Sequence, residues 1–199
     1  MKPTKLSLLL GFSKVVNALQ EVKRVVRKPG TEERENDVEH SYHLAMLAWY
    51  IADSNKLTLD RGLLLTYALI HDFVEVYAGD TYIYSKNKED HDSKKDREEA
   101  SRLRLEKEFP EFTELHESIL EYEKRESEES KFIYVLDKLH PAFQVYLDDG
   151  RDWRKHNITL DMLIEKKADK ALLSAELLPY WEEFLTLLKE NESELFPKA

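Results

Sequence analysis

The chain contains no cysteine. Disulfides and thiolate chemistry are excluded, so any metal site must be built from nitrogen and oxygen donors. Glycine and proline are scarce, 5 and 6 in 199 residues, which argues against a turn-rich all-β chain or a low-complexity one. No apolar run approaches the roughly 18 to 20 residues that cross a bilayer. The short run "LSLLLGF" follows Lys2 and Lys5 but lacks a small-residue cleavage site, and it reads as a helix start rather than a leader. No basic stripe stands out against a formal net charge of −10, so a nucleic-acid polymer is not an expected partner. The nearest basic cluster, "EVKRVVRK" at 21–28, reads as the solvated end of a helix. A small anionic substrate remains compatible if a metal and a few arginines neutralise it locally. These absences together point to a cytoplasmic protein acting on small molecules.

What is present is helical periodicity. With 42% hydrophobic and 35% charged residues, the chain has the profile of long amphipathic helices around one core, and 199 residues fit a single domain. Leu6, Leu9, Leu10, Val16, Leu19 and Val26 share one broad face, which predicts a first helix running to about Lys28. Asp37 is placed to cap a second helix and Asp60 a third, the latter running through "GLLLTYALIHDFVEVYA" to Gly79. The segment "SKNKEDHDSKKD" (85–96) has no apolar periodicity and reads as an exposed loop. Further helices are predicted over about 97–109 and 111–124. A long one follows from about Ser127, bent near Pro141, and two more lie beyond Thr159. No strand pattern is seen, and the expected fold is a compact all-α bundle.

One stretch calls for a chemical explanation. The apolar run from Leu64 delivers His71, Asp72 and Glu75, then Gly79 and Asp80. Burying ionisable groups is costly unless they are paired or bound to a metal. Residues three and four apart share a helix face, so His71, Asp72 and Glu75 can point into one cavity. An imidazole beside a carboxylate suits a divalent ion of the Mn, Fe, Co or Mg type. Other helices must complete such a site. His40, in the first turn of the second helix, and Asp137, a carboxylate interrupting the apolar face of "FIYVLDKLH", are the candidates. His43 and His140 share faces with them and read as packing or supporting residues. His91-Asp92 serves as an internal control, because it has no apolar flanks and no carboxylate at helical spacing, and reads as solvated.

The joint pattern His…His-Asp…Asp on a helical chain resembles the HD-domain metal-dependent phosphohydrolases. "RENDVEHS" (34–41), "HDFVEVYAGD" (71–80) and "EYEKRESEESKFIYVLDKL" (121–139) resemble, in order, three segments of the YfbR-like 5′-deoxynucleotidase group. The likeness covers about residues 20–150. It implies that His40, His71, Asp72 and Asp137 ligate one divalent metal ion (Mn, Co, Mg or Fe), and that Glu75 orients or deprotonates the attacking water. It further implies that Asp80 holds the water or protonates the leaving ribose oxygen, and that Arg34 grips the phosphate. The substrate would be a (deoxy)nucleoside 5′-monophosphate and the product inorganic phosphate. By analogy the chain would form a homodimer, with residues 151–199 serving packing or subunit contact.

Two departures stand out. The group's Arg-Trp pair near the end of the first helix is replaced by "EVKRVVRK", where Arg24 or Arg27 could stand for the arginine and no tryptophan is present. The arginine of "REND" also lies one residue nearer His40 than in the pattern. Two other readings stay open beside the phosphomonoesterase: an HD-type pyrophosphohydrolase or phosphodiesterase acting on another nucleotide, and a non-catalytic helical interaction module.

Overall fold

The computed structural model describes residues 3–84 and 88–198, with backbone alone for 88–91. Its elements in chain order are α1 (Lys5–Leu19), β1 (Lys23–Arg27), β2 (Arg34–Asn36), α2 (Asp37–Ser54), α3 (Arg61–Ile70), α4 (Glu75–Ala78), α5 (Lys88–Glu108), α6 (Thr113–Lys124), α7 (Glu128–Leu147), α8 (Arg151–His156), α9 (Leu160–Ala171), α10 (Leu178–Glu190) and α11 (Glu192–Leu195). The expected all-α class holds apart from one small antiparallel hairpin. Among the described residues, no helix is long and apolar enough to cross a membrane.

The hairpin corrects the predicted length of the first helix. α1 stops at Leu19, and Lys23–Arg27 pairs antiparallel with Arg34–Asn36, the register running from Lys23↔Asn36 to Arg27↔Arg34 with an irregularity between. Val25 and Val26 are β-branched and favour extended backbone, and Gly30 at φ +74° supplies the turn conformation that side-chain-bearing residues disfavour. Periodicity carried the helical reading through Val26, but backbone pairing with β2 outweighs it.

α2 is capped by Asn36 rather than Asp37. The Asn36 side chain accepts from Glu39 N at 2.9 Å, and the Glu39 carboxylate accepts from Asn36 N at 3.0 Å. This reciprocal pair satisfies two orphan donors of the first turn and fixes where His40 enters the core. Asp37, one residue further on, is fully buried.

The helix expected through Ala78 is broken. α3 ends at Ile70, and bonds three residues apart, Phe73 N to Ile70 O and Glu75 N to Asp72 O, both 2.9 Å, tighten the chain before α4. His71 Nδ1 meets the carbonyl of Ala68 at 2.9 Å. The segment 85–96, read as a loop, is helical from Lys88 onward, while 85–87 lie outside the described residues. The pair His91-Asp92 thus lies on α5, with Asp92 exposed and the His91 side chain outside the description.

The core lies between α2, α3 and α7, where Leu44, Leu64, Phe132, Ile133, Leu136 and Leu139 are almost wholly buried. Each such side chain contributes about 1.5–3 kcal/mol relative to exposure. Pro141 sits inside α7 and removes the N–H that would have bonded the Asp137 carbonyl. α9 packs on α7, and β1 packs on the same helix.

Candidate metal centre and substrate pocket

Three elements bring the four predicted ligands together. α2 supplies His40, the turn after α3 supplies His71 and Asp72, and α7 supplies Asp137. One donor atom from each lies within 4.8 Å of all the others. His40 Nε2 is 3.0 Å from Asp137 Oδ1, His71 Nε2 is 3.0 Å from Asp72 Oδ2 and 3.7 Å from Asp137 Oδ1. His40, His71 and Asp137 are buried, and Asp72 is partly so.

The donor set fits a divalent ion. The bond from His71 to the Ala68 carbonyl places its ring proton on Nδ1 and leaves the Nε2 lone pair facing the cluster. That Nε2 is buried and has no hydrogen-bond partner. Buried polar atoms are normally satisfied, so an orphaned imidazole nitrogen beside two carboxylates is what a cation site leaves when described from protein atoms alone. Two imidazoles and two carboxylates suit Mn, Fe, Co or Zn, and Mg less well.

Arg24 extends from β1 into this cluster. Its guanidinium lies 2.7 Å from Asp72, 3.3 Å from Asp37, 3.8 Å from Glu35 and 3.9 Å from Asp137. Burial opposes its charge, but Asp72, Asp137, Asp80 and Asp37 together raise its pKa above the ordinary arginine value. Arg34 behaves differently. It is exposed at the start of β2 and does not line the pocket. Of the two arginines weighed as standing for the arginine of the group's Arg-Trp pair, Arg24 reaches the candidate ligand Asp72, whereas Arg27 is held by Asp152.

Glu75 and Asp80 both line the pocket. Burial, then the charge of Asp72, pushes Glu75 up to about 10, and Lys94 from α5 stands 3.6 Å from its Oε1. Burial likewise raises the pKa of Asp80, with Arg24 opposing. Asp37 is pushed up to about 7 by burial and Asp72. The site therefore holds more carboxylates than Arg24 and Lys94 neutralise, which is the electrostatic demand a metal cation meets.

Behind His40 lies a buried polar layer that sequence reasoning left unassigned. Glu35 is fully buried. It accepts from Gln144 Nε2 at 2.7 Å, touches His43 Nδ1 at 3.1 Å and approaches His40 Nδ1 to 3.3 Å. Burial alone would raise its pKa, but the contacts from His40, His140 and Gln144 outweigh that and bring it to about 2. His140 Nδ1 lies 3.2 Å from His40 Nδ1, and burial lowers its pKa to about 3, so it is a neutral partner. His140 thus contacts His40 directly, and His43 reaches it only through Glu35. The sequence signal for Glu35 was its place five residues before His40, inside the "REND" segment.

The pocket runs from the metal ligands towards an aromatic wall formed by Tyr82, Tyr84, Trp153 and His156. Tyr82 meets Tyr84 edge-on at a centroid distance of 5.6 Å and His156 at a tilt at 5.9 Å, and Trp153 lies flat on Phe196 at 4.6 Å. α8 and α9 thus line the pocket in addition to packing. Lys94, Lys138 and Lys167 were not singled out from the sequence. Lys167 had a legible signal: it interrupts the buried stripe Leu160, Leu163, Ala171 of α9.

Comparisons with known proteins agree with this geometry. Residues 16–190 match the family model described as "HD domain". The chain is 34% identical over 141 residues to the 5′-deoxynucleotidase HDDC2 of Mus musculus, covering 68% of this chain and 67% of that protein. It is 33% identical over 139 residues to the Homo sapiens protein of the same name, covering 68% and 66%. The chain thus spans about two thirds of the length of these relatives. Among solved structures, one described as a predicted metal-dependent phosphohydrolase from Magnetospirillum magnetotacticum superposes with a TM-score of 0.80 at 28% identity, over 99% of this chain and 100% of that one. An HD-domain phosphohydrolase from Listeria innocua shares the fold with a TM-score of 0.61 at 16% identity, over 94% and 87%. The chain belongs to the HD-domain family of metal-dependent phosphohydrolases.

Proposed function

We propose that the chain is a phosphomonoesterase that releases phosphate from (deoxy)nucleoside 5′-monophosphates. The observation that carries this reading is the His₂Asp₂ set, found among the described residues beside a pocket that has basic side chains near the candidate ligands and an aromatic wall. The names of the curated relatives support the substrate class.

His40, His71, Asp72 and Asp137 would hold the metal ion. When bound, it supplies positive charge that acidifies water and stabilises the phosphoryl group in the transition state. A cation held by Asp72 would offset the repulsion that raises Glu75, so that Glu75 would be ionised and receive a proton from the attacking water, whose oxygen forms a bond to phosphorus as the bond to the 5′-oxygen breaks. Asp80, with its raised pKa, would give a proton to that leaving oxygen. Arg24 would grip the phosphate oxygens, the role the family resemblance gave to Arg34, because a planar guanidinium matches two oxygens at once. The base would lie against the Tyr82 and His156 end of the pocket. A cytoplasmic location fits this substrate class. Self-association belongs to the same reading, supported by exposed Tyr42, Met46, Trp49 and Tyr50 along one side of α2.

The test is phosphate release from a panel of ribo- and deoxyribonucleoside 5′-monophosphates, with Mn, Co or Mg added and a chelator control. Metal-dependent release is the expected outcome, and the panel reports the sugar and base preference. Release from triphosphates or phosphodiesters alone would replace this reading with the pyrophosphohydrolase or phosphodiesterase one.

A further inference from the structure

The pocket is lined by Arg24, Lys94, Lys138 and Lys167. Three of these cations have carboxylate partners. Arg24 lies 2.7 Å from Asp72, Lys94 is 3.2 Å from Glu98 and 3.6 Å from Glu75, and Lys138 is 2.6 Å from Asp137. Lys167 has no carboxylate within 4.0 Å among the described residues, and its one hydrogen bond is donated to the backbone carbonyl of Lys138. The residue is 5% exposed.

A buried ammonium is costly unless a counter-charge and acceptors surround it. Burial, then the charge of Lys138, pushes Lys167 down to about 7. A leucine or methionine would fill this place on the α9 stripe without that cost. Among the described residues, two of the three donors on Nζ have no acceptor.

The missing counter-charge has a natural source. A phosphate monoester carries close to two negative charges at neutral pH. Asp72 and Asp137 balance a divalent ion, Lys94 is engaged by Glu75 and Glu98, and Arg24 is shared among four carboxylates. Among the described Lys and Arg side chains of the pocket, Lys167 is therefore the one without a carboxylate of its own, free to join Arg24 on a phosphate. We infer that Lys167 is a substrate-binding residue whose ammonium receives a phosphate oxygen of the bound nucleotide, making α9 part of the active site. The inference rests on the phosphomonoesterase reading for its substrate class. The competing role is structural, with Lys167 only holding a carbonyl in the part of α7 that Pro141 interrupts.

The test uses the full, metal-loaded chain and three variants, Lys167→Met, Lys167→Gln and Lys167→Arg. Inorganic phosphate is titrated calorimetrically, and KM and kcat are measured on the best nucleoside monophosphate, with metal affinity and melting temperature followed in parallel. The expected result for Lys167→Met is phosphate affinity weakened at least tenfold, KM raised by a similar factor, metal affinity unchanged and melting temperature not lowered. Lys167→Arg should recover most of the phosphate affinity. If Lys167→Met does not fold, the contrast between the Gln and Arg variants carries the same information. Phosphate affinity within twofold of wild type in the uncharged variants overturns the inference, as does a loss matched by an equal loss of metal affinity. If the wild-type chain hydrolyses no nucleoside monophosphate, the function reading fails, while the phosphate titration still decides the role of Lys167.

Discussion

Glu35 Oε2 stands 3.3 Å from His40 Nδ1, and both side chains are fully buried. The same Nδ1 lies 3.2 Å from His140 Nδ1, so Glu35 and His140 together face the ring edge opposite Asp137, whose Oδ1 stands 3.0 Å from Nε2. β2 therefore places a buried carboxylate behind a candidate metal ligand, and Glu35 does not line the pocket.

Replacing Glu35 with Gln should weaken metal binding by about 10 to 100-fold, the usual consequence of losing a carboxylate behind a ligating histidine. Titration of the metal-free protein with Mn or Co measures this directly. An unchanged dissociation constant would remove Glu35 from that role.

The same carboxylate makes a prediction for acid stability. Its folded pKa of about 2 lies below the ordinary 4.5, so the folded state binds fewer protons. The stabilisation is complete above the unfolded value of 4.5 and is lost as pH falls towards 2. A shift of this size corresponds to on the order of 3 kcal/mol. Chemical denaturation of the wild type and Glu35→Gln at pH 6 and pH 3 should show the gap between them narrowing at the lower pH.

Asp72→Asn should abolish stoichiometric metal binding while the helical fold survives, because the change keeps shape and removes charge. The test is metal content after dialysis beside the far-UV circular dichroism spectrum. Wild-type metal content in the variant would refute the ligand set.

Glu75→Gln should retain the metal and lose turnover by about 10² to 10⁴-fold, the range for an acid–base group. Near-normal kcat with full metal occupancy would exclude Glu75 as the base.

Arg24→Lys and Arg34→Ala separate the two arginines. Arg24→Lys keeps a charge but loses the planar fork, and KM should rise by about 10-fold or more, in line with about 1.5–3 kcal/mol for a hydrogen bond to a charged group. Arg34→Ala, at an exposed position, should leave KM and kcat within twofold. The reverse pattern would return the phosphate contact to Arg34.

Much of the site was legible without coordinates, for a local reason. His71 and Asp72 are adjacent, Glu75 follows within a turn, and all lie where an apolar run makes ionisable groups costly. His40 could be added from its place in the first turn of the second helix, and Asp137 because it interrupts the apolar face of its own. The class of fold was legible in the same way, since long 3.6-residue stripes leave few alternatives to a helical core. Where local rules compete, the chain was harder to read. Lys23–Arg27 carries both a helical stripe and a β-branched pair, and only pairing with Arg34–Asn36 selects the strand.

That hairpin decides which arginine enters the site. Extended backbone alternates its side chains, which buries Glu35, exposes Arg34 and turns Arg24 towards Asp72. Lys94 and Lys167 depend still more on packing, because each comes from a helix far along the chain whose approach to the ligands no local pattern encodes. The sequence by itself therefore determined the candidate metal donors and the helical class, through adjacency and periodicity. The tertiary structure decided which cations surround the substrate, because that depends on how separate elements dock around α7.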